Sequence, residues 1–216
     1  MTSNPVSSEI LSKLERLTTF NRGFFTLEEG IRLFEEARSA MEDGSGYAIE
    51  VGSYCGTSTA FLGFAAKATN GVVVSVDHHL GSEENGPSWE SFDTSLFDRE
   101  RGTIDTLSRF RSLIHSLGLE QFVAPVATST TVATKFVRDR ADFVFIDGGH
   151  GEEIAFNDYF AYAPLVRRGG VLAIHDVFED PSKGGRPPFE IYTRAIASEQ
   201  FIYLSNLGSL YFLRRR

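Results

Sequence analysis

From Gly46 onward the chain alternates short unbroken apolar runs with longer stretches of helical period. The runs are YAIEV (47–51), VVVSV (72–76), FVAPV (122–126), FVFI (143–146) and VLAI (171–174). Helical patterns lie between them at 57–68, 104–117, 130–138 and 152–165. Strands that are apolar on both faces and separated by helices predict an α/β fold with a doubly wound, mostly parallel sheet. The closing stretch FIYLSNLGSLYFLRRR pairs two strand-like runs about Asn-Leu-Gly. It predicts a C-terminal hairpin, so at least one strand at that end of the sheet is antiparallel. Upstream, SSEILSKLERL and TLEEGIRLFEEARSAME read as amphipathic helices, the second with Thr26 as its cap and Glu29 completing a capping box. The expectation is an N-terminal helical extension over 1–43 and one α/β domain over 44–216.

Two insertions break this rhythm, 78–103 and 177–189. Both leave the carboxyl end of a predicted strand, where open α/β sheets bind ligands, and connections of that length in a compact domain act as lids or binding loops. The first carries the only tryptophan, Trp89, together with Glu83, Glu84, Glu90 and Asp93. An aromatic ring among carboxylates there suits contact with a polyhydroxylated acceptor, or a small core belonging to the lid itself.

Charge and composition narrow the function. The 216 residues carry a net charge of −8, and the terminal Arg214–Arg216 is the only basic cluster. Nucleic acid is therefore not the expected partner. No apolar run spans a bilayer and the first residues lack a basic-then-apolar pattern, so a cytoplasmic protein without membrane contact is expected. The single cysteine, Cys55, excludes an internal disulfide and a cysteine-cluster metal site. The N-terminal helices offer surfaces that could pair in a homodimer.

The chemistry-bearing residues fall at strand ends. IEVGSYCGTSTAFL ends a strand on Glu50 and Val51, turns through Gly52 and Gly56, and starts a helix at Thr57 or Ser58. Such a turn brings backbone and free helix amides close to a ligand. It is G-x-x-x-G rather than the dinucleotide G-x-G-x-x-G, and an acid two residues ahead of the glycine suits a cationic amine better than a pyrophosphate. Asp77 ends the next strand, where a carboxylate in a βαβ unit accepts from ribose hydroxyls. Asp147, Gly148, Gly149 and His150 follow the fourth run, and His175 and Asp176 follow the fifth.

Together these motifs resemble the class I S-adenosylmethionine-dependent methyltransferases, over about residues 46–214, and so imply a Rossmann-like fold. The resemblance implies that Glu50 lies near the methionine amine, directly or through water. Gly52, Ser53, Tyr54, Gly56 and Thr57 would wrap the methionine and sulfonium. Asp77 would hold the ribose, with His78 beside the adenosine and Thr128 and Ser129 near the adenine. Within that class the chain is similar to metal-dependent O-methyltransferases, in which an acid after the fourth strand and a pair of residues after the fifth hold magnesium. The corresponding residues are Asp147, His175 and Asp176. Mg²⁺ prefers oxygen, so either His175 is not a ligand or the metal is softer, such as Mn²⁺. His150 is the candidate base, its alternative role being to cap the helix near Glu152. His175 could act as base, as ligand or in packing.

The implied reaction is methyl transfer from S-adenosylmethionine to a hydroxyl of a small molecule or oligosaccharide. A sugar is the favoured acceptor, for example a methylated mannoside oligosaccharide. Two other readings compete: an NAD-dependent oxidoreductase, and a non-catalytic methyltransferase-like binding subunit.

Overall fold

The computed structural model describes Ser12, Leu14, Glu15 and residues 25–82, 92–149 and 151–216. The first predicted helix falls outside these residues except for Ser12, Leu14 and Glu15, which are helical, and Leu14 is buried.

Helix α1 (Leu27–Glu42) starts where the capping box places it. The Thr26 hydroxyl accepts from the Glu29 amide at 3.1 Å, and the Thr26 amide donates back to Glu29 Oε2 at 3.1 Å. Next come β1 (Tyr47–Val51), α2 (Thr57–Thr69) and β2 (Val72–Asp77). The described part of the first insertion contains a hairpin of β3 (Phe97–Asp98) and β4 (Thr103–Ile104) ahead of α3 (Leu107–Ser116). The remaining elements are β5 (Val123–Ala127), α4 (Thr130–Ala133), β6 (Ala141–Ile146), α5 (Glu152–Tyr162), β7 (Val166–Ile174), α6 (Arg186–Ala197), β8 (Phe201–Leu207) and β9 (Leu210–Arg215).

The main sheet has seven strands in the order β5-β2-β1-β6-β7-β9-β8. β9 alone runs against its neighbours, pairing antiparallel with both β7 and β8. The predicted fold class is thus observed, hairpin included. On one face α1 and α2 pack with Phe110 of α3 around Phe61, Phe143, Phe145 and Phe212. On the other, α5 and α6 cover Ile49, Val144, Leu172 and Leu213. α2 is buried almost throughout because α1 covers its outer side, which explains its weak amphipathic pattern.

Several boundaries differ from the sequence expectation. Ile104 belongs to the β3–β4 hairpin, not to the helix that follows. α4 stops at Ala133, since the β-branched run Thr130–Val132 has little helical preference. α5 gives way at Ala163–Leu165 to a 3-10 turn containing Pro164, which lacks the amide an α-helix needs. The second insertion ends at Gly185, because Pro187 and Pro188 occupy the first turn of α6, where proline fits a helix.

Candidate active site

The strand register brings four residues to one level. Val51 pairs with Val76 and with Ile146, and Ile146 pairs with Ile174. The next residue along each strand is therefore Gly52, Asp77, Asp147 and His175. Backbone bonds carry the alignment past the strand ends: Gly52 N to Val76 O at 3.0 Å, Asp147 N to Val51 O at 2.8 Å and His175 N to Ile146 O at 3.1 Å. Gly52 is at φ +86°, and a Cβ there would stand 2.2 Å from the Asp147 carbonyl oxygen. No other residue fits that approach.

Asp77 shapes the turn beside it. Its Oδ2 accepts from the amides of Ser53 and Tyr54, both at 2.8 Å, and its Oδ1 from His79 N at 2.7 Å. These bonds hold Tyr54 at φ +47°, a conformation a non-glycine residue adopts only when its surroundings impose it. Half-buried Asp77 retains acceptor capacity beyond them, since a carboxylate offers about four lone-pair sites. His78 is exposed beside it, whereas His79 is buried against Phe110 with Nδ1 2.8 Å from Thr106 Oγ1. Burial lowers the His79 pKa, with Asp77 opposing. Thr128 and Ser129 follow β5, half-buried, and Ser129 Oγ caps α4 by accepting from Val132 N. The hairpin insertion rests on this turn through a small cluster of Cys55, Leu96 and Ile104 with Tyr54, Phe92 and Phe97.

Glu50 sits one residue before the end of β1. It is fully buried and accepts from Ser58 Oγ at 2.7 Å, Thr59 Oγ1 at 2.5 Å and Ser75 Oγ at 2.7 Å. Burial lifts its pKa to about 7 against the pull of those hydroxyls. The carboxylate thereby braces β1 to α2 and β2.

The acid side of the site comes from β6 and β7. His175 is buried, with Nδ1 3.0 Å from Asp147 Oδ1 and 3.5 Å from Asp176 Oδ2. One donor atom from each of the three lies within 4.8 Å of the others. Burial disfavours the imidazolium, yet Asp147, Asp176 and Glu29 outweigh it and hold the His175 pKa well above its usual value. Asp176 takes φ +55°, which turns its carboxylate back toward the imidazole. His150, Trp89, Glu83, Glu84 and Glu90 lie outside the described residues.

Two further acids were invisible as site residues in the sequence. Glu29 reads as a helix cap, but its Oε1 stands 3.6 Å from His175 Nε2. Asp158, on α5, reads as a residue that faces solvent or orients a neighbour, and it is 1% exposed with Oδ2 lacking a hydrogen-bond partner. With Asp147, Gly148 and His175 it lines a cavity of about 10 Å³, the scale of one water. A larger groove of about 220 Å³, bounded by Glu36, Asp43, Arg167 and Arg214, lies at the opposite end of the strands.

A methyltransferase-domain family model matches residues 49–177, a span that takes in the Gly52 turn, Asp77, Asp147 and the His175–Asp176 pair. The chain belongs to that family. The NAD-dependent reading falls with this match. Solved structures share the class I methyltransferase fold at low identity. The O-methyltransferase of Bacillus cereus, solved with S-adenosylhomocysteine, is 15% identical over 97% of this chain and 92% of its own, with a TM-score of 0.65. TomG of Streptomyces achromogenes, an O-methyltransferase of tomaymycin synthesis solved with S-adenosylmethionine, is 15% identical over 97% and 90%, with a TM-score of 0.63. The Podospora anserina methyltransferase PaMTH1, bound to S-adenosylhomocysteine, is 13% identical over 95% and 87%, also at 0.63. In this methyltransferase no helix among the described residues is long and apolar enough to cross a membrane.

Proposed function

We propose that this methyltransferase moves a methyl group from S-adenosylmethionine to a hydroxyl oxygen, with a divalent cation beside the acceptor. The observation that carries this reading is the contact of the Gly52 turn with the Asp147 carbonyl. It puts the wall suited to a methyl donor directly against the cluster of Asp147, His175 and Asp176.

That cluster suits a divalent cation. Asp147, Asp176 and nearby Glu29 place three carboxylates around one buried imidazole, an excess of negative charge that a dication offsets. An imidazole beside two carboxylates suits Mn²⁺ better than Mg²⁺, which prefers an all-oxygen set, so the softer ion is the better fit. When bound, the cation lowers the proton affinity of an acceptor hydroxyl next to it.

The chain's own residues do the rest. Asp77 accepts from the ribose hydroxyls, the backbone of Gly52, Ser53, Tyr54, Gly56 and Thr57 wraps the methionine part, and His78, Thr128 and Ser129 border the adenosine. Asp147, His175 and Asp176 hold the cation. His150, next to Gly149 in the chain, takes the proton as the acceptor oxygen bonds to the methyl carbon and the carbon–sulfur bond breaks, leaving neutral S-adenosylhomocysteine.

For the acceptor we favour a sugar hydroxyl, on the acid-rich character of the 78–103 insertion. One observation favours a second reading, a hydroxyl on an apolar or aromatic body. Ile154 is 46% exposed, and a side chain started at Gly149 would touch it at 3.5 Å, so an apolar group flanks the Asp147–Gly149 turn. A mass-detected methyl-transfer screen over sugars and phenols, with Mn²⁺, Mg²⁺ or EDTA, tests the proposal. Metal-dependent methylation of one class is expected. Failure to bind S-adenosylhomocysteine overturns the donor assignment, and transfer undiminished in EDTA overturns the cation.

A further inference from the structure

Glu29 divides its two oxygens between two tasks. Oε2 closes the cap of α1, accepting from the Thr26 amide at 3.1 Å and the Thr26 hydroxyl at 2.9 Å. Oε1 faces away from the cap. It lies 3.6 Å from His175 Nε2 and 3.5 Å from Ser209 Oγ. His175 is buried on every side, its ring 5.0 Å from that of Phe25 and 6.4 Å from that of Phe145, so its orientation is confined. Nδ1 faces Asp147 and Asp176, and Nε2, which has no hydrogen-bond partner in this geometry, faces Glu29.

A helix cap needs only one carboxylate oxygen, and a capping box takes Gln as readily as Glu. The second oxygen therefore does something the cap does not explain. Imidazoles that bind metals place their other N–H on a carboxylate or carbonyl, which fixes the tautomer and ring orientation and raises ligand basicity. We infer that Glu29, 146 residues ahead of His175 in the chain, is the positioning residue that keeps a proton on Nε2 of His175 and thereby presents Nδ1 to a cation held with Asp147 and Asp176. This inference rests on the proposed cation site. It makes the N-terminal helix part of that site, through its first turn.

The test separates the two roles of Glu29. Mn²⁺ binding to the whole protein is followed by electron paramagnetic resonance, without methyl donor or acceptor. The imidazole ¹⁵N signals of His175 are recorded in the metal-free protein. Glu29→Gln and Glu29→Ala are expected to weaken Mn²⁺ binding roughly 10- to 100-fold, the range for loss of such a partner. Both should also release the Nε2 proton to fast exchange. Thr26→Ala removes a capping hydroxyl and leaves Glu29 Oε1 in place. It should lower the melting temperature while Mn²⁺ affinity and the Nε2 signal stay as in the wild type. Equal Mn²⁺ affinity in the wild type and both Glu29 variants overturns the inference and leaves the cation site standing. A Thr26→Ala protein that loses affinity as Glu29→Gln does shows that only the cap mattered, and overturns it too. A wild-type protein that takes up no Mn²⁺ overturns the cation site and the inference together.

Discussion

A side chain started at Gly148 would place its first carbon 2.7 Å from Oδ2 of Asp158. The carboxylate is 1% exposed, so it has no solvent to swing into. Gly148→Ala should therefore destabilise the fold by about 1–3 kcal/mol, the usual cost of overpacking. Asp158→Ala in the same chain removes the obstacle and should restore part of that loss. A double-mutant cycle by urea unfolding should show a coupling of at least about 0.5 kcal/mol, as expected for residues in contact. Strict additivity would mean that the two do not meet.

Asp158 and Glu50 predict a pH dependence of stability with a definite sign. Burial is the main cause of both shifts, to about 6 for Asp158 and about 7 for Glu50. Unfolded carboxyls titrate near 4, so over this range the folded state binds more protons than the unfolded one. Their contribution favours folding below about pH 4, weakens as pH rises from about 4 to 7, and is flat above. Asp158→Asn removes its share. Relative to wild type the variant should gain on the order of 2–3 kcal/mol at pH 7.5 and little at pH 4. Denaturant titrations at the two pH values check this, and a gain of equal size at both would contradict it.

Asp77 tests the donor pocket. Asp77→Ala removes the acceptor that holds the Ser53 and Tyr54 amides, together with the proposed ribose partner. Charge-assisted hydrogen bonds are each worth about 1.5–3 kcal/mol, so calorimetric affinity for S-adenosylhomocysteine should fall at least tenfold. Unchanged affinity would place the nucleoside elsewhere.

The acid side is tested by turnover. Asp147→Ala combined with Asp176→Ala should abolish metal-dependent methyl transfer while S-adenosylhomocysteine still binds. His150→Ala should lower kcat by about 10²–10⁴, the contribution of a general base, at nearly constant donor affinity. Turnover unaffected by His150→Ala would exclude it as the base.

The sheet was legible in the sequence because buried parallel strands are unbroken apolar runs, and β1 was bounded to the residue. So were Asp77, Asp147, His175 and Asp176, which follow those runs at strand ends. What escaped were properties set by the third dimension. Glu50 sits in a strand whose neighbours supply hydroxyls from two other elements, so its burial could not be read from the turn motif. Asp158 lies on a helix with no amphipathic stripe, which hid the face it buries. His78 and His79 are adjacent and chemically identical, and only the fold sends one outward and the other under Phe110. The helix α6 was obscured by the prolines that begin it.

The abutment of Gly52 on Asp147 carries a mechanical consequence. The walls assigned to donor and acceptor are successive rungs of one hydrogen-bonded ladder through β2, β1, β6 and β7. They cannot part like the jaws of a two-domain enzyme, because there is no hinge between them. The floor of the proposed crevice is one piece of sheet, so we expect substrate and product to pass by way of the segments beyond the strand ends. Changes in those segments should thus tune turnover without moving the distance between methyl donor and acid cluster.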